Sequence, residues 1–139
     1  MNTGVSLSVM DDETLARFVF SSHHIRQDRT VRHEAFMPRR GEGLSVVRHD
    51  NMGDTELWAI GRAMEQGRVD TLHGRTDVEA AAFVEQRLQV VAAPIELTPH
   101  HAEVRGWPDD KSARMLVAKM IAARAGLAQE VPASPRNTI

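Results

Sequence analysis

The chain has 139 residues, 42% hydrophobic and 26% charged, a composition that predicts one globular domain with a real core and excludes general disorder. It contains no cysteine, which excludes disulfides, thiolate metal sites and a cysteine nucleophile. The net charge of −2 does not favour general duplex binding. No apolar run is as long as a membrane span, and Met1–Met10 lack a signal-peptide pattern, so the chain is expected to be cytoplasmic and without membrane contact.

Charge is distributed unevenly along the chain. Residues 17–48 hold seven arginines against three acids, a net charge of +4, together with His23, His24 and His33. Residues 49–110 hold five arginines against twelve acids, a net charge of −7. Arginine suits phosphate and carboxylate groups, and histidine exchanges protons near neutral pH. The basic segment therefore predicts a local anion site, although its arginines could instead pair with the acids that follow.

The first half of the chain predicts two strands and a helix. Short apolar runs favour strands over 15–20 and 44–48, with a polar loop over 27–40 between them. Apolar residues at helical spacing predict a helix over 54–66, with Asp54 as its N-cap.

The next part of the chain predicts a short strand, a turn and a second helix. The strand is expected over 69–72 and the turn over 73–75, where a glycine lies between a histidine and an arginine. Thr76 and Glu79 have the spacing of a capping box, which predicts a helix over 77–87.

The last third predicts two strands and a third helix. The strands are expected over 88–92 and 101–105, and the helix begins after Asp109 or Asp110 and stops at Gly126. The apolar residues on one stripe of this helix are expected to be buried: Ala113, Leu116, Val117, Met120 and Ala123.

These elements predict a single α+β domain, with a mixed β-sheet of about four to five short strands and three helices. The domain is expected over residues 15–126, between an N-terminal extension over 1–14 and a loose C-terminal tail over 127–139.

Several short phrases together resemble a loose group of small bacterial hypothetical proteins with no established activity. They are Arg-Phe-Val-Phe-Ser-Ser-His-His (17–24), Ala-Phe-Met-Pro (35–38), Leu-Ser-Val-Val-Arg (44–48), Leu-His-Gly-Arg (72–75) and His-Ala-Glu-Val-Arg-Gly-Trp-Pro (101–108). The resemblance covers most of residues 15–125. It implies a compact bacterial domain and assigns no catalytic residue.

The candidate catalytic residues are His24, His101 and Glu103. Alternate side chains of a strand share a face, so His101, Glu103 and Arg105 should point one way while the residues between them enter the core. A carboxylate beside an imidazole suits general acid–base chemistry. His24 follows the first strand and would join the pair if the two strand ends meet. A polar strand face with a local ion pair is the simpler interpretation.

The candidate anion contacts are Arg32, Arg48 and Arg75. Their guanidinium groups could hold a phosphate through paired hydrogen bonds, with Gly74 allowing close backbone approach. Three histidine and glutamate groups would also satisfy zinc, but the chain has no helical His-x-x-x-His pattern, so no metal site is predicted. No particular cofactor is identified.

Two functions remain open from the sequence. The first is a domain that binds or acts on a phosphate-bearing small molecule or nucleotide, which requires the His, Arg and Glu side chains to converge in a pocket. The second is a non-catalytic accessory or interaction module, with a protein partner or a second copy of itself, which requires an exposed apolar patch. Nucleic acid is an unlikely ligand because aromatic residues make up only 4% of the chain.

Overall fold

A computed structural model describes residues 4–133. The sheet has the strand order β3-β1-β2-β5-β4. Its strands are β1 Thr14–Val19, β2 Leu44–Arg48, β3 Gly74–Glu79, β4 Gln89–Ala92 and β5 His101–Arg105. The α-helices are α1 Asp54–Gln66, α2 Ala80–Val84 and α3 Lys111–Ala122. Two short 3₁₀ turns, Ser22–His24 and His33–Phe36, lie between β1 and β2.

The structure confirms a single α+β domain with five strands and three helices. All four pairings between neighbouring strands in residues 4–133 are antiparallel. The sheet is therefore not the mixed sheet that the sequence predicted. Because β1 and β5 both pair beside β2 in the opposite direction, they run parallel to each other with β2 between them. The third helix begins as predicted, since the Asp110 side chain accepts a hydrogen bond from the Ala113 N–H at 2.9 Å.

The segment around Gly74 was predicted incorrectly. Residues 74–79 form β3 and pair with β1 along six residues, where a turn and a helix start were expected. The Thr76 hydroxyl donates to the Gly126 carbonyl at 2.7 Å and caps no helix. Long-range pairing therefore overrides the local capping pattern, leaves only a short α2, and leaves 69–72 without a strand.

The N-cap of α1 lies one residue before the predicted one. Gly53 occupies the N-cap position, and Asp54, the predicted cap, is the first helical residue. An acid in the first turn still stabilises the helix through its dipole.

Apolar side chains fill both faces of the sheet. One face packs under α2, α3 and the second 3₁₀ turn; its largest buried residues are Leu15, Val19, Phe36, Val46, Phe83, Val104 and Ile121. The other face packs under α1; its buried residues are Ala16, Phe18, Val47, Leu57, Trp58 and Leu72. α1 contacts β1 through Phe18, which lies against Trp58 and Gly61, and it contacts β3 through Arg75.

The buried stripe of α3 differs from the prediction. Arg114, Ala118 and Ile121 are buried, whereas Leu116 and Met120 are 65% and 56% exposed. Arg114 can enter the protein because its guanidinium donates to backbone carbonyls just before the helix. The pattern of apolar residues cannot predict that a charged residue such as Arg114 is buried. It therefore predicts burial for a face of α3 that is largely exposed.

The segments outside the predicted domain contact it closely. Glu13 and the carbonyls of Ser6 and Ser8 bind Arg48, and Ala128 is buried while Gln129 pairs with the backbone of β3. The remaining ends of the expected extension and tail, residues 1–3 and 134–139, lie outside the described residues.

Candidate functional site

A cleft lies where β1 and β2 separate. The two strands pair only at Leu15 with Arg48 and at Ala16 with Val47, while β1 continues to pair with β3 up to Val19. Beyond these pairs the strands diverge and enclose a cavity of about 520 Å³, here called the fork cleft. Side chains from β1, β2, the intervening segment and the end of α1 line it. Its charged and polar lining residues include Arg17, His24, Glu34, Arg39, Glu42, Ser45, Arg68 and Asp70.

Arg17 lies at the base of the fork cleft. Its Nε donates to the Ala35 carbonyl at 2.8 Å, and its Nη1 donates to the Ser45 carbonyl at 2.9 Å. No carboxylate of residues 4–133 forms an ion pair with it. Burial, reinforced by the charge of Arg68, lowers its pKa to about 10. Arg17 is therefore a partly buried cation at neutral pH whose partners within residues 4–133 are backbone carbonyls alone.

Arg68, which also lines the cleft, differs from Arg17 because its charge is paired with the Asp70 carboxylate. Its Nε and Nη2 donate to the Asp70 carboxylate at 2.8 and 3.1 Å, and its guanidinium lies 4.1 Å from the centre of the Phe20 ring. The hydrogen bonds from Arg68 hold the pKa of Asp70 below its ordinary value. Three arginines and three carboxylates line the cleft, so the lining has no net formal charge: Arg17, Arg39, Arg68, Glu34, Glu42 and Asp70. Within residues 4–133 only Arg68 of these arginines forms a salt bridge, so Arg17 and Arg39 are the cations left for a ligand.

His24 lines the same cleft, as the last residue of the first 3₁₀ turn. Ser21 caps that turn, since its hydroxyl oxygen accepts from the His23 N–H at 3.3 Å. Burial lowers the pKa of His24, and the charge of Arg17 acts in the same direction while Glu34 opposes it. His24 is therefore neutral at neutral pH and can either donate or accept a hydrogen bond.

His101 and Glu103 do not join His24. They share one face of β5 as predicted, with Ala102 and Val104 buried on the other. However, His101 Nδ1 lies 2.8 Å from the Ala93 carbonyl oxygen, and Glu103 pairs with Arg105 at 2.6 Å. Neither lines the fork cleft. The antiparallel order explains this separation, because β2 lies between β1 and β5.

Arg48 is used internally and is not a ligand contact. It is 1% exposed, and its Nε and Nη2 donate to the two oxygens of Glu13 at 2.8 and 2.9 Å. Although burial acts to raise the pKa of Glu13, these bonds and the Met10 N–H hold it below its ordinary value. Arg48 also lies at the end of the sheet opposite His24, because β1 and β2 are antiparallel.

Arg75 is also committed to internal partners. It is 2% exposed and donates to Asp77 at 3.0 and 3.1 Å and to Asp54 at 2.9 Å, while its guanidinium lies 5.2 Å from the Trp58 ring centre. The predicted anion contacts Arg48 and Arg75 are thus structural ion pairs. Arg32, the third, is exposed and does not line the fork cleft.

Arg17 was not among the candidate site residues. A usable signal was present at Arg17, which interrupts an otherwise apolar strand, since an arginine that is partly removed from water needs hydrogen-bond partners. Residues 4–133 contain no group of three or more His, Asp or Glu side chains placed to hold a metal ion. None of the helices in the same range is long and apolar enough to cross a membrane.

Comparison with known proteins gives no further guidance to the site. No protein-family model, no curated protein and no solved structure matches the chain. The functional argument therefore rests on the geometry and electrostatics of the fork cleft.

Proposed function

We propose that the fork cleft binds a phosphate-bearing small molecule, with Arg17 as the main anion contact and His24 beside it. The observation that carries the proposal is the state of Arg17, a partly buried cation that lines the cavity without a carboxylate partner among residues 4–133. Removing a charge from part of its water without a counter-charge costs free energy, and an anion that enters the cleft would offset that cost.

Arg17 also keeps donors available for a ligand. Its Nε and Nη1 are engaged by carbonyls, whereas its Nη2 makes no hydrogen bond within residues 4–133. A guanidinium donates well to the oxygens of a phosphate, and the two carbonyl contacts hold it in a fixed orientation. Because the Arg17 guanidinium is already held in place, less conformational entropy is lost when a ligand binds.

The walls of the cleft favour an organic phosphate over the free ion. Phe20, Met37, Pro38 and Met64 contribute apolar surface near the polar residues, and a volume of about 520 Å³ exceeds what one phosphate group needs. The lining is more polar than apolar, and the volume is of the order typical of small-molecule sites, in which a few polar groups fix the orientation of the ligand. A nucleoside monophosphate and an aryl phosphate both satisfy this description.

Calorimetry with AMP, phenyl phosphate and inorganic phosphate tests the proposal. Arg39→Gln removes an exposed cation that lines the cleft, and Arg32→Gln removes an exposed arginine of the same segment that does not. We expect the first change to weaken binding of an organic phosphate about fivefold to tenfold, and the second to leave it unchanged. Equal effects of the two changes, or no binding of any of the three ligands, would refute the proposed site.

His24 supplies an independent readout. An anion held beside Arg17 would offset the positive charge that acts on His24 and would favour the charged imidazole, so ligand should raise the pKa of His24. NMR titration of the histidine ring protons, with and without saturating phenyl phosphate, measures this change. His73 is exposed and lies outside the cleft lining, so its ring serves as the internal control. An unchanged His24 pKa in the presence of bound ligand would show that the ligand lies elsewhere.

A further inference from the structure

The outward face of α3 carries two large apolar residues beside the exposed Ser112 and Lys119, and it lies opposite the buried face of the helix. Leu116 and Met120 are one turn apart and are 65% and 56% exposed. At 3.6 residues per turn they point away from Ala118 and Ile121, which are fully buried. An exposed apolar stripe on a helix that already has a buried face is typical of a protein interface.

The stripe is symmetric in sequence about Ala118. Leu116 and Met120 lie two positions on either side of it, and Ala113 and Ala123 lie five positions on either side. If a second copy of α3 packed antiparallel with the two Ala118 residues at the same height along the helix axes, Leu116 would face Met120 of that copy. Ala113 would likewise face Ala123 of that copy. Small residues at both ends would let the two backbones approach closely, as a self-complementary interface requires.

The charges at the two ends of α3 favour the same antiparallel arrangement. Asp109 and Asp110 precede the helix, which begins with Lys111, whereas Lys119 lies in its last turn and Arg124 follows it. Antiparallel packing in this register brings Asp110 of one copy within one turn of Arg124 of the other and opposes the two helix dipoles. Arg124 also contacts Glu85 of its own chain, but both side chains remain about half exposed.

From these observations we infer that the chain self-associates into a two-fold dimer through the outward face of α3. A contact built mainly on one helix pair lies at the small end of interface sizes, so the dimer is weak and depends on concentration. This inference does not depend on the fork cleft.

Sedimentation equilibrium from micromolar to near-millimolar protein tests the dimer. The mass should rise with concentration from 15.5 kDa toward twice that value. Met120→Lys should weaken association at least about tenfold because it places a charge in the interface. Val69→Lys is the control, since Val69 is a fully exposed apolar residue outside α3, and it should have no effect. A monomer at all concentrations, or equal effects of the two changes, would overturn the inference.

Cross-linking tests the orientation of the helices. The chain has no cysteine, so Ala113→Cys and Ala123→Cys each carry a single thiol. When the two variants are mixed and oxidised, antiparallel packing predicts that the mixed disulfide exceeds both homodimeric disulfides. Parallel packing, or association through another surface, predicts no such preference. Circular dichroism of each variant before oxidation establishes that the fold is retained.

Discussion

Replacing Asp77 with asparagine should remove the main electrostatic support of buried Arg75. The Asp77 carboxylate accepts hydrogen bonds from His49 Nε2 at 3.1 Å, from Arg75 Nε and Nη2 at 3.0 and 3.1 Å, and from Gln129 Nε2 at 3.0 Å. Burial acts to raise the pKa of Asp77, but the hydrogen bonds and charges of His49 and Arg75 lower it to about 2. Folding therefore favours the charged carboxylate strongly.

The size of the effect follows from this pKa. A fall from 3.8 to about 2 corresponds to about 2.5 kcal/mol of folding free energy. Because the folded-state pKa is depressed, this contribution is fully present well above pH 4 and is lost as the pH falls through 2. About 1 kcal/mol should already be lost between pH 6 and pH 3. We expect Asp77→Asn to destabilise the protein by about 2–3 kcal/mol at pH 6.

Urea denaturation of both proteins at pH 6 and pH 3 measures these quantities. The difference between wild type and Asp77→Asn should shrink by about 1 kcal/mol at the lower pH. Asp54→Asn is a matched control, because Asp54 binds the same arginine at 2.9 Å but is 69% exposed, and it should cost less than about 1 kcal/mol. A difference that does not change with pH, or a larger loss from Asp54→Asn, would show that this reasoning is wrong.

Two further changes test packing and capping by urea denaturation. Gly61→Ala should cost about 1–2 kcal/mol, because a Cβ there would lie 2.5 Å from the buried Phe18 ring; Gly67→Ala meets nothing closer than 3.8 Å and should change stability by less than about 0.5 kcal/mol. Equal unfolding midpoints for these two variants would contradict the close contact. Asp110→Ala removes the N-cap bond to Ala113 and should cost about 1 kcal/mol. An unchanged midpoint would mean that the cap contributes nothing to α3.

Local patterns were enough to predict most elements of the fold. The strands β1, β2, β4 and β5 and the helices α1 and α3 were all expected within one or two residues, apart from the C-terminal end of α3. β3 was not, because its local capping pattern favours a helix and only pairing with β1 makes it a strand. Short-range sequence signals carry no information about that pairing.

The candidate site was harder to predict, because it depends on tertiary geometry. Sequence reasoning chose Arg48 and Arg75 for their chemistry, but both find carboxylate partners distant in sequence. Arg17 lines the cleft because β1 and β2 diverge beside it, and the sequence of residues 15–20 does not predict that divergence. Only His24 among the predicted site residues lies in the fork cleft.

The divergence of β1 from β2 also divides the sheet into two units with few backbone links. One unit is β3 with β1, joined along six residues, and the other is β2, β5 and β4; only two residue pairs of β1 and β2 connect them. Such a seam is where a sheet should open before it unfolds globally. We therefore expect amide hydrogens of Phe18 and Ser45, which border the seam, to exchange faster than those of Val46 and Val104. A ligand that bridges the fork cleft would slow that exchange, so it would act as a mechanical link between the two halves of the sheet.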